Sequence, residues 1–300
     1  MNPGNFHPFV LGTVQFGLLY GVANKTGQPD QARVTEIIRT AWENGIREFD
    51  TAQDYGGSEK MLGTAFSQLS ISHEAQVISK INPELNHCDP QIMSEALNRS
   101  LERLGVSSLY GLMLHKEDLL SQLPNGLGEI LHSFVKSGKI KKVGVSVYSP
   151  KRALEALLIN GFDMVQLPAN ILDSRFEKQR VFELAEKAGR QIYIRSVFLQ
   201  GLILMDPNEL SGQMSFAKPV LEKIKSLAQQ LNVTKHELAL GYLKERFPTA
   251  KLVIGVETPE QLEENLGSWG RKPARNLLPL VSQYFDQVDE KILNPTLWMR

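Results

Sequence analysis

Four polar residues stand where side chains from neighbouring strands would meet. Asp50 ends a short apolar run, Tyr55 lies in the loop after it, Lys80 closes the next run and His115 closes the one after that. In a repeating strand–helix chain, active sites are built at the C-terminal ends of the strands. A carboxylate, a phenol, an ammonium and an imidazole brought together there can move protons to and from an oxygen atom.

The chemistry that would use all four groups is the reduction of a carbonyl by hydride. Tyr55 could give the developing alkoxide its proton, although a free tyrosine titrates near about pH 10. Because a neighbouring ammonium favours the phenolate, we expect Lys80 to lower the pKa of Tyr55. Asp50 would keep Lys80 charged, and His115 would hydrogen-bond to the carbonyl oxygen and stabilise the charge that develops on it.

Each of these residues also has an ordinary structural role. Tyr55 could be a half-buried packing residue, Lys80 a solvent-exposed lysine, Asp50 a helix cap and His115 a hydrogen-bonded structural histidine. Their joint appearance after strands two, three and four favours a shared site, because a barrel brings the ends of adjacent strands together.

The elements that must position these residues alternate along the chain. Nearly continuous apolar runs are typical of parallel strands that are covered on both faces. The predicted strands are residues 9–14, 48–52, 76–81, 110–115, 142–147, 164–168, 192–197 and 252–256. Stretches between them carry apolar residues at helical spacing, and Asp30 could cap the first of these. The predicted helices are residues 32–44, 92–104, 177–188 and 219–231.

Eight strand–helix units in 300 residues predict an α/β fold, a (β/α)8 TIM barrel. We expect one domain over residues 1–300, with a short, loop-like C-terminal tail from about residue 269. A doubly wound sheet that binds a dinucleotide usually has a glycine-rich turn after its first strand. Here Gly12 and Gly17 have the wrong spacing for that turn, and no Walker-type phosphate loop is present.

Composition excludes several classes of protein. Hydrophobic residues form 42% of the chain, enough for a large core, and 33 Lys and Arg balance 33 Asp and Glu. Zero net charge argues against a general nucleic-acid or anionic-membrane binder. The single cysteine, Cys88, excludes an internal disulfide, and no metal-ligand spacing is present. No apolar run approaches the roughly 20 residues of a membrane span, so we expect a cytoplasmic enzyme that acts on a small molecule without a metal.

Three loop-like segments follow strands and would lie over the mouth of the barrel, namely residues 18–29, 115–127 and 204–218. Loops in this position select the substrate. The charged residues 116–118 would suit a polar substrate such as a sugar or sugar-derived carbonyl. A solvated loop or a generic aldehyde fits the same residues equally well.

The segment 49–63 closely resembles the signature that aldo-keto reductases carry after strand two, and the similarity extends over nearly the whole chain. Asp50 and Tyr55 match the family's aspartate and catalytic tyrosine, Lys80 matches its lysine and His115 its histidine. The resemblance implies a barrel that binds a nicotinamide dinucleotide without a Rossmann domain. It also implies reduction of an aldehyde or ketone to an alcohol with the tyrosine as general acid.

Further along the chain, the resemblance assigns residues to the cofactor. Ser146 and Gln166 stand where the family contacts the nicotinamide carboxamide, and Ser196 and Gly201 stand in the loop that holds the pyrophosphate. Residues 254–265 resemble the strand-eight region around the adenosine phosphate. The cofactor candidates in that region are Gly255, Gln261, Glu264 and Asn265.

One departure from the family pattern lies on strand seven. Arg195 stands where many members have an aromatic residue stacked on the nicotinamide, and it is therefore a further cofactor candidate. A planar guanidinium can also stack there. Because it would repel the positive oxidised ring, we expect a bias toward the reduced cofactor. Alternatively, Arg195 pairs with an acidic neighbour in the barrel.

A second departure lies on strand eight. Gly255 and Gln261 stand where well-studied members use a lysine and an arginine to grip the 2′-phosphate. Fewer fixed cations weaken discrimination for that phosphate, although backbone amides near Thr258 at the start of the next helix could bind it. Other members with this glycine and glutamine resemble NADP-binders. We therefore expect NADP(H), with NAD(H) left open.

Two other functions stay open at this point. A nicotinamide-binding regulatory subunit with little turnover would keep the same residues as an active enzyme. A barrel lyase or isomerase would instead use Lys80 to form a Schiff base, and such a lysine should lie in an apolar pocket without an acidic partner. Neither the oligomeric state nor the physiological substrate can be read from this sequence.

Overall fold

Within residues 7–210 and 212–298, which the computed structural model describes, eight parallel strands close into a barrel. Each strand pairs with the next along the chain, and the eighth pairs with the first. The predicted (β/α)8 TIM barrel is confirmed. The strands are β1 Phe9–Gly12, β2 Glu48–Asp50, β3 Gln76–Ile81, β4 Gly111–Leu114, β5 Val143–Ser146, β6 Met164–Pro168, β7 Gln191–Arg195 and β8 Lys251–Gly255.

The third and sixth strands have the predicted bounds, and the other strands begin and end within two residues of them. Strand β1 ends early because the chain turns at Thr13, whose hydroxyl donates to the carbonyl of Asp50 at 2.9 Å. A short helix then begins at Val14. This hydrogen bond ties the end of β1 to the end of β2.

Helices surround the barrel. The α-helices are α1 Val14–Gly17, α2 Gln31–Glu43, α3 Ser58–Gln68, α4 Pro90–Leu104, α5 Leu127–Lys136, α6 Pro150–Leu157, α7 Arg175–Lys178, α8 Val181–Lys187, α9 Lys218–Leu231, α10 Lys235–Arg246, α11 Pro259–Gly270, α12 Leu277–Phe285 and α13 Glu290–Leu293. Shorter 3-10 helices are Glu117–Asn125, Leu202–Leu204, Pro207–Glu209, Gly212–Ala217 and Pro295–Leu297. In the part of the chain that the structure describes, no helix has the length and apolar character needed to cross a membrane.

The helix predictions hold in some places and fail in others. Asp30 caps α2 as predicted, because its carboxylate accepts a hydrogen bond from the backbone N–H of Arg33 at 2.9 Å. The single helix predicted over residues 177–188 is wrong. Arg180 adopts a left-handed φ of +58° and separates α7 from α8. The prediction that the chain is loop-like from residue 269 is also wrong, since α12 and α13 lie there and bury apolar side chains in the core.

Alternation along the strands decides which side chains reach the mouth of the barrel. An apolar cluster of alternating strand residues fills the barrel interior, comprising Val10, Ile78, Met113, Met164 and Tyr193. Because every second side chain of a strand points to the same face, the residues two positions further on also face the barrel axis, but nearer the C-terminal end. These residues are Gly12, Lys80, His115, Gln166 and Arg195.

A polar network holds the opposite, N-terminal end of the barrel. Glu48 is buried, accepts a hydrogen bond from the Tyr193 hydroxyl at 2.8 Å, and lies 2.7 Å from Lys251 Nζ. Lys251 also donates to the carbonyl oxygen of His7 at 2.7 Å. Burial and the adjacent Glu48 carboxylate raise the pKa of Tyr193, so its phenol stays protonated as the donor. The network joins β2, β7 and β8 to His7, which lies just before β1.

At the mouth, the loop after β1 contacts the loop after β7. The backbone N–H of Ala23 donates to the carbonyl of Gln200 at 3.4 Å, and Lys25 pairs with Glu209 at 3.1 Å on the surface. Gly201 has a φ of +86°, and a Cβ built there would lie 2.5 Å from Ala23 Cβ. The close approach of the two loops therefore requires glycine at position 201.

We expect Gly201→Ala to lower the free energy of unfolding by about 2–4 kcal/mol, since it adds both overpacking and left-handed strain. Gly27→Ala is the matched control, because Gly27 has a φ of +79° but no atom within 4 Å of a Cβ. Gly201→Ala should lose more free energy of unfolding in urea than Gly27→Ala does. Adding Ala23→Gly to Gly201→Ala should restore this extra loss. Equal losses for Gly201→Ala and Gly27→Ala would show that the Ala23 contact is unimportant.

Candidate active site

A cavity of about 370 Å³ opens at the C-terminal ends of the strands. Asp50, Tyr55 and His115 line this cavity, whereas Lys80 is buried with 1% of its surface exposed. All the candidate cofactor residues line the same cavity, namely Ser146, Gln166, Arg195, Ser196, Gly201, Gly255, Gln261, Glu264 and Asn265. The structure thus brings into one place residues that lie far apart in the sequence.

Lys80 and Asp50 form a buried ion pair. Lys80 Nζ donates to Asp50 Oδ2 at 2.6 Å and to the carbonyl of Thr51 at 3.0 Å. The second carboxylate oxygen of Asp50 accepts from the Gln166 amide at 2.8 Å. Burial lowers the pKa of Lys80, and the Asp50 carboxylate opposes this effect. Gln166, predicted to contact the nicotinamide, therefore also holds the aspartate.

Tyr55 lies against this ion pair, with Lys80 Nζ 5.1 Å from the centre of its ring. Burial, followed by the Asp50 carboxylate, raises the pKa of Tyr55 well above 10, and Arg195 opposes the rise. This direction is opposite to the lowering expected from Lys80, because burial of the phenol and the Asp50 carboxylate dominate its pKa. The Tyr55 phenol consequently keeps its proton at neutral pH and can act as a donor.

His115 lies beside Asp54. Its Nδ1 lies 3.0 Å from Asp54 Oδ1, and its ring meets that of Tyr55 edge-on with the centroids 5.6 Å apart. Burial raises the pKa of Asp54, but its contacts with His115 outweigh burial, so the pKa is lowered overall. A carboxylate at Nδ1 favours the proton on that nitrogen and leaves Nε2 as the remaining polar atom of the ring.

Arg195 stacks on an aromatic ring of the protein itself. Its guanidinium lies 4.0 Å from the centre of the Tyr148 ring and donates to the carbonyl of Val147 at 3.2 Å. No acidic side chain among the described residues forms an ion pair with Arg195, so the alternative that it pairs with an acidic neighbour is wrong. The guanidinium is therefore an unneutralised cation in the cavity wall.

The charged loop after β4 mostly contacts the protein rather than the cavity. Glu117 accepts from the backbone N–H of Tyr148 at 2.6 Å and from that of Ser149 at 3.1 Å. Lys116 pairs with Glu84 at 2.9 Å. These contacts position Tyr148, and they remove the main reason for expecting a sugar-like substrate from this loop.

The backbone after β7 suits a phosphate. Left-handed φ angles occur at Ser196, Leu199, Gln200 and Gly201, with values of +58°, +50°, +56° and +86°. Successive N–H groups in such turns form concavities that bind anions. Non-glycine residues in this conformation cost about 1–2 kcal/mol each. The side chain of Asn170 supports the turn by donating to the carbonyl of Ser196 at 3.1 Å.

Two buried acceptors in the cavity wall have no hydrogen-bond partner within the described residues. They are Oδ1 of Asn265, which is 3% exposed, and Oε1 of Gln15, which is 7% exposed. Unpaired buried acceptors are unfavourable, so a ligand that brings N–H or O–H donors fits this end of the cavity. The amino and hydroxyl groups of adenosine meet this requirement, and the residues present therefore fit a nicotinamide dinucleotide.

Sequence reasoning missed several residues of the site. Asp54 directly precedes Tyr55, and this adjacency was the available signal. Gln15 and Glu257 line the cavity beside Gly255. Glu257 lies within the strand-eight segment 254–265, but its residue type gave no reason to single it out, and Gln15 stands in no recognised motif. Tyr148 is recognisable only from its contact with Arg195, which no sequence pattern gives.

Comparison with known proteins agrees with this geometry. The sequence model described as "Aldo/keto reductase family" matches residues 8–292. The chain is 24% identical over 253 residues to aldo-keto reductase str7 of Strobilurus tenacellus, covering 78% of this chain and 75% of that protein. It is also 24% identical over 297 residues to L-glyceraldehyde 3-phosphate reductase of Escherichia coli K12, covering 87% and 84%.

Among solved structures, the holo form of an aldo-keto reductase from Bacillus halodurans superposes with a TM-score of 0.74 at 20% identity. It covers 96% of this chain and 95% of that chain, and at this identity the likeness bears on the fold alone. The family match extends over nearly all of the sequence. This chain therefore belongs to the aldo/keto reductase family, which implies reduction of carbonyl compounds with a nicotinamide cofactor.

Proposed function

We propose that this protein reduces an aldehyde or ketone to an alcohol with NAD(P)H, and that Tyr55 is the general acid. The observation that carries the proposal is the arrangement of Tyr55 and His115 on one cavity, with the Lys80–Asp50 ion pair next to the phenol. A bound nicotinamide would supply the hydride. The protonated phenol of Tyr55 would then supply the proton that the alkoxide requires.

The other residues prepare this step. His115, held by Asp54, would hydrogen-bond to the carbonyl oxygen and orient it. Lys80 would stabilise the phenolate that remains after proton donation, and Asp50 keeps Lys80 charged and in place. The cofactor would be held by Ser146, Gln166, Arg195, Ser196, Gly201, Gly255, Gln261, Glu264 and Asn265.

The observed contacts bear on the two rival functions. A Schiff-base lysine should be free of an acidic partner, but Lys80 is paired with Asp50 at 2.6 Å and does not line the cavity. A regulatory subunit with little turnover would keep the same residues, so the rate of aldehyde reduction distinguishes it from an active enzyme. The family match favours reduction, and the proposed substrate is an aldehyde or ketone.

Tyr55→Phe removes only the hydroxyl, so we expect a decrease in kcat of about 10²–10⁴-fold with nearly unchanged cofactor affinity. Tyr110→Phe is the control, since its hydroxyl accepts from Lys142 outside the cavity. Steady-state kinetics with an aldehyde and fluorescence titration of the reduced cofactor provide the measurements. A kcat for Tyr55→Phe that matches wild type would remove Tyr55 from the mechanism.

Lys80→Met leaves the Asp50 carboxylate buried without its ion-pair partner, so we expect a loss of stability of about 3–5 kcal/mol together with loss of turnover. Adding Asp50→Asn removes the unpaired charge and should restore most of the stability in urea unfolding, while turnover stays low. If the double variant regained activity, the ion pair would be structural only.

Arg195→Met removes the unneutralised cation beside the proposed nicotinamide position. Wild type should bind the reduced cofactor more tightly than the oxidised one, and the variant should narrow that difference by about tenfold, or about 1.4 kcal/mol. Arg99→Met, on the outer surface of α4, is the control and should leave the ratio of affinities unchanged. A ratio that Arg195→Met does not alter would argue against electrostatic selection by Arg195.

A further inference from the structure

Glu257 places a carboxylate in the cavity wall just after β8. It lines the cavity together with Gly255, Gln261, Glu264 and Asn265, at the end where Asn265 Oδ1 has no partner among the described residues. This is the region that the sequence resemblance places around the adenosine. The structure thus puts an acidic side chain where a binder of the 2′-phosphate would need a cation.

Gln261 and Gln15 lie beside this carboxylate. Gln261 Oε1 accepts from the backbone N–H of Glu257 at 2.7 Å, and the side chains of Gln261 and Gln15 lie close enough to the Glu257 carboxylate to lower its pKa. Burial raises the pKa of Glu257, and these two amides partly oppose that rise. Gln261, which stands in place of a phosphate-binding arginine, therefore contacts Glu257 instead.

Gly255 is part of the same arrangement. A Cβ at this position would lie 2.3 Å from Gln15 Nε2 and 2.4 Å from Gln15 Oε1. Any larger residue, including the lysine found at this place in other members, would displace Gln15 and its contact with Glu257. Gly255 and Gln261, the two residues that depart from the family pattern here, thus both allow one carboxylate to be held.

The start of α11 offers few amides in compensation. The N–H of Gln261 donates to the Thr258 hydroxyl oxygen at 3.3 Å, and Pro259 has no N–H. The backbone N–H of Glu260 and the Thr258 hydroxyl lower the pKa of the Glu260 carboxylate. The first turn of α11 therefore already carries an exposed anion, which opposes the binding of a phosphate at this terminus.

The remaining charges near this end are also unfavourable for a phosphate. Glu264 lines the cavity and lies 3.2 Å from His236, whose pKa is lowered by burial. Among the described residues, Arg195 is the only lysine or arginine in the cavity wall, and it stacks on Tyr148 near the catalytic residues. Arg33 lies outside the wall and acts on Glu260.

We infer that Glu257 accepts hydrogen bonds from the ribose hydroxyls of the adenosine half and makes the site selective for NAD(H) over NADP(H). The inference rests on the proposed function. A carboxylate is the usual acceptor for a ribose 2′-hydroxyl in sites for NAD. A 2′-phosphate carries about −1.5 to −2 charges at neutral pH and would meet like charge at Glu257. This reverses the choice of cofactor that the sequence pattern favours.

The test is a fluorescence titration with NADH and, separately, with NADPH, using wild type, Glu257→Gln and Glu263→Gln. Glu263 is exposed on α11 and does not line the cavity, so its variant removes an equal charge and is the matched control. Wild type should bind NADH at least about tenfold more tightly than NADPH. Glu257→Gln should reduce this ratio about tenfold, mainly by improving NADPH, and Glu263→Gln should leave it unchanged.

A second measurement needs no variant, in case Glu257→Gln does not fold. ADP-ribose and 2′-phospho-ADP-ribose would compete with bound NADH in wild type, and ADP-ribose should be the stronger competitor. Equal or tighter binding of the 2′-phosphorylated compounds, or an unchanged ratio in a folded Glu257→Gln, would overturn the assignment of Glu257. Absence of binding by both NADH and NADPH would instead overturn the proposed function itself.

Discussion

A lysine ammonium with 1% of its surface exposed is the constraint around which this site is built. Removing a charge from water costs several kcal/mol unless the charge is paired and its hydrogen bonds are satisfied. Asp50, the carbonyl of Thr51 and, through Asp50, the amide of Gln166 satisfy this requirement. Strands β2, β3 and β6 contribute these groups, so they must keep their relative positions for the Lys80–Asp50 ion pair to form. Tyr55 therefore lies against a rigid, nearly neutral unit rather than against a free cation.

The sequence predicted the features that depend on local patterns. The bounds of β3 and β6 followed from their apolar runs, the cap at Asp30 from residue type, and the meeting of Asp50, Lys80 and His115 from the rule that strand ends converge. The break at Arg180 escaped prediction because a left-handed residue other than glycine or asparagine has no sequence signal. The raised pKa of Tyr55 also escaped prediction, since it depends on the burial of the phenol and on its distance from the Asp50 carboxylate, which only the three-dimensional structure gives.

Charge is distributed unevenly along the cavity. Arg195 lies near the catalytic residues, without a carboxylate partner within the described chain, while Glu257 and Glu264 lie at the other end. The departure on strand seven and the pair of departing residues after strand eight thus belong to one electrostatic arrangement. Uncharged residues such as Gly255 and Gln261 matter here because they leave room for Glu257 and contact it.

Glu48 and Asp50 occupy one short strand, yet they belong to opposite ends of the barrel. Glu48 contacts Tyr193 and Lys251 in the network at the N-terminal end, and Asp50 pairs with Lys80 at the mouth. Because the side chains named in these two networks differ, substitutions at the mouth could change the reaction without altering the contacts of Glu48 at the N-terminal end. The spacing of two residues along β2 therefore separates a side chain that supports the fold from one that supports the chemistry.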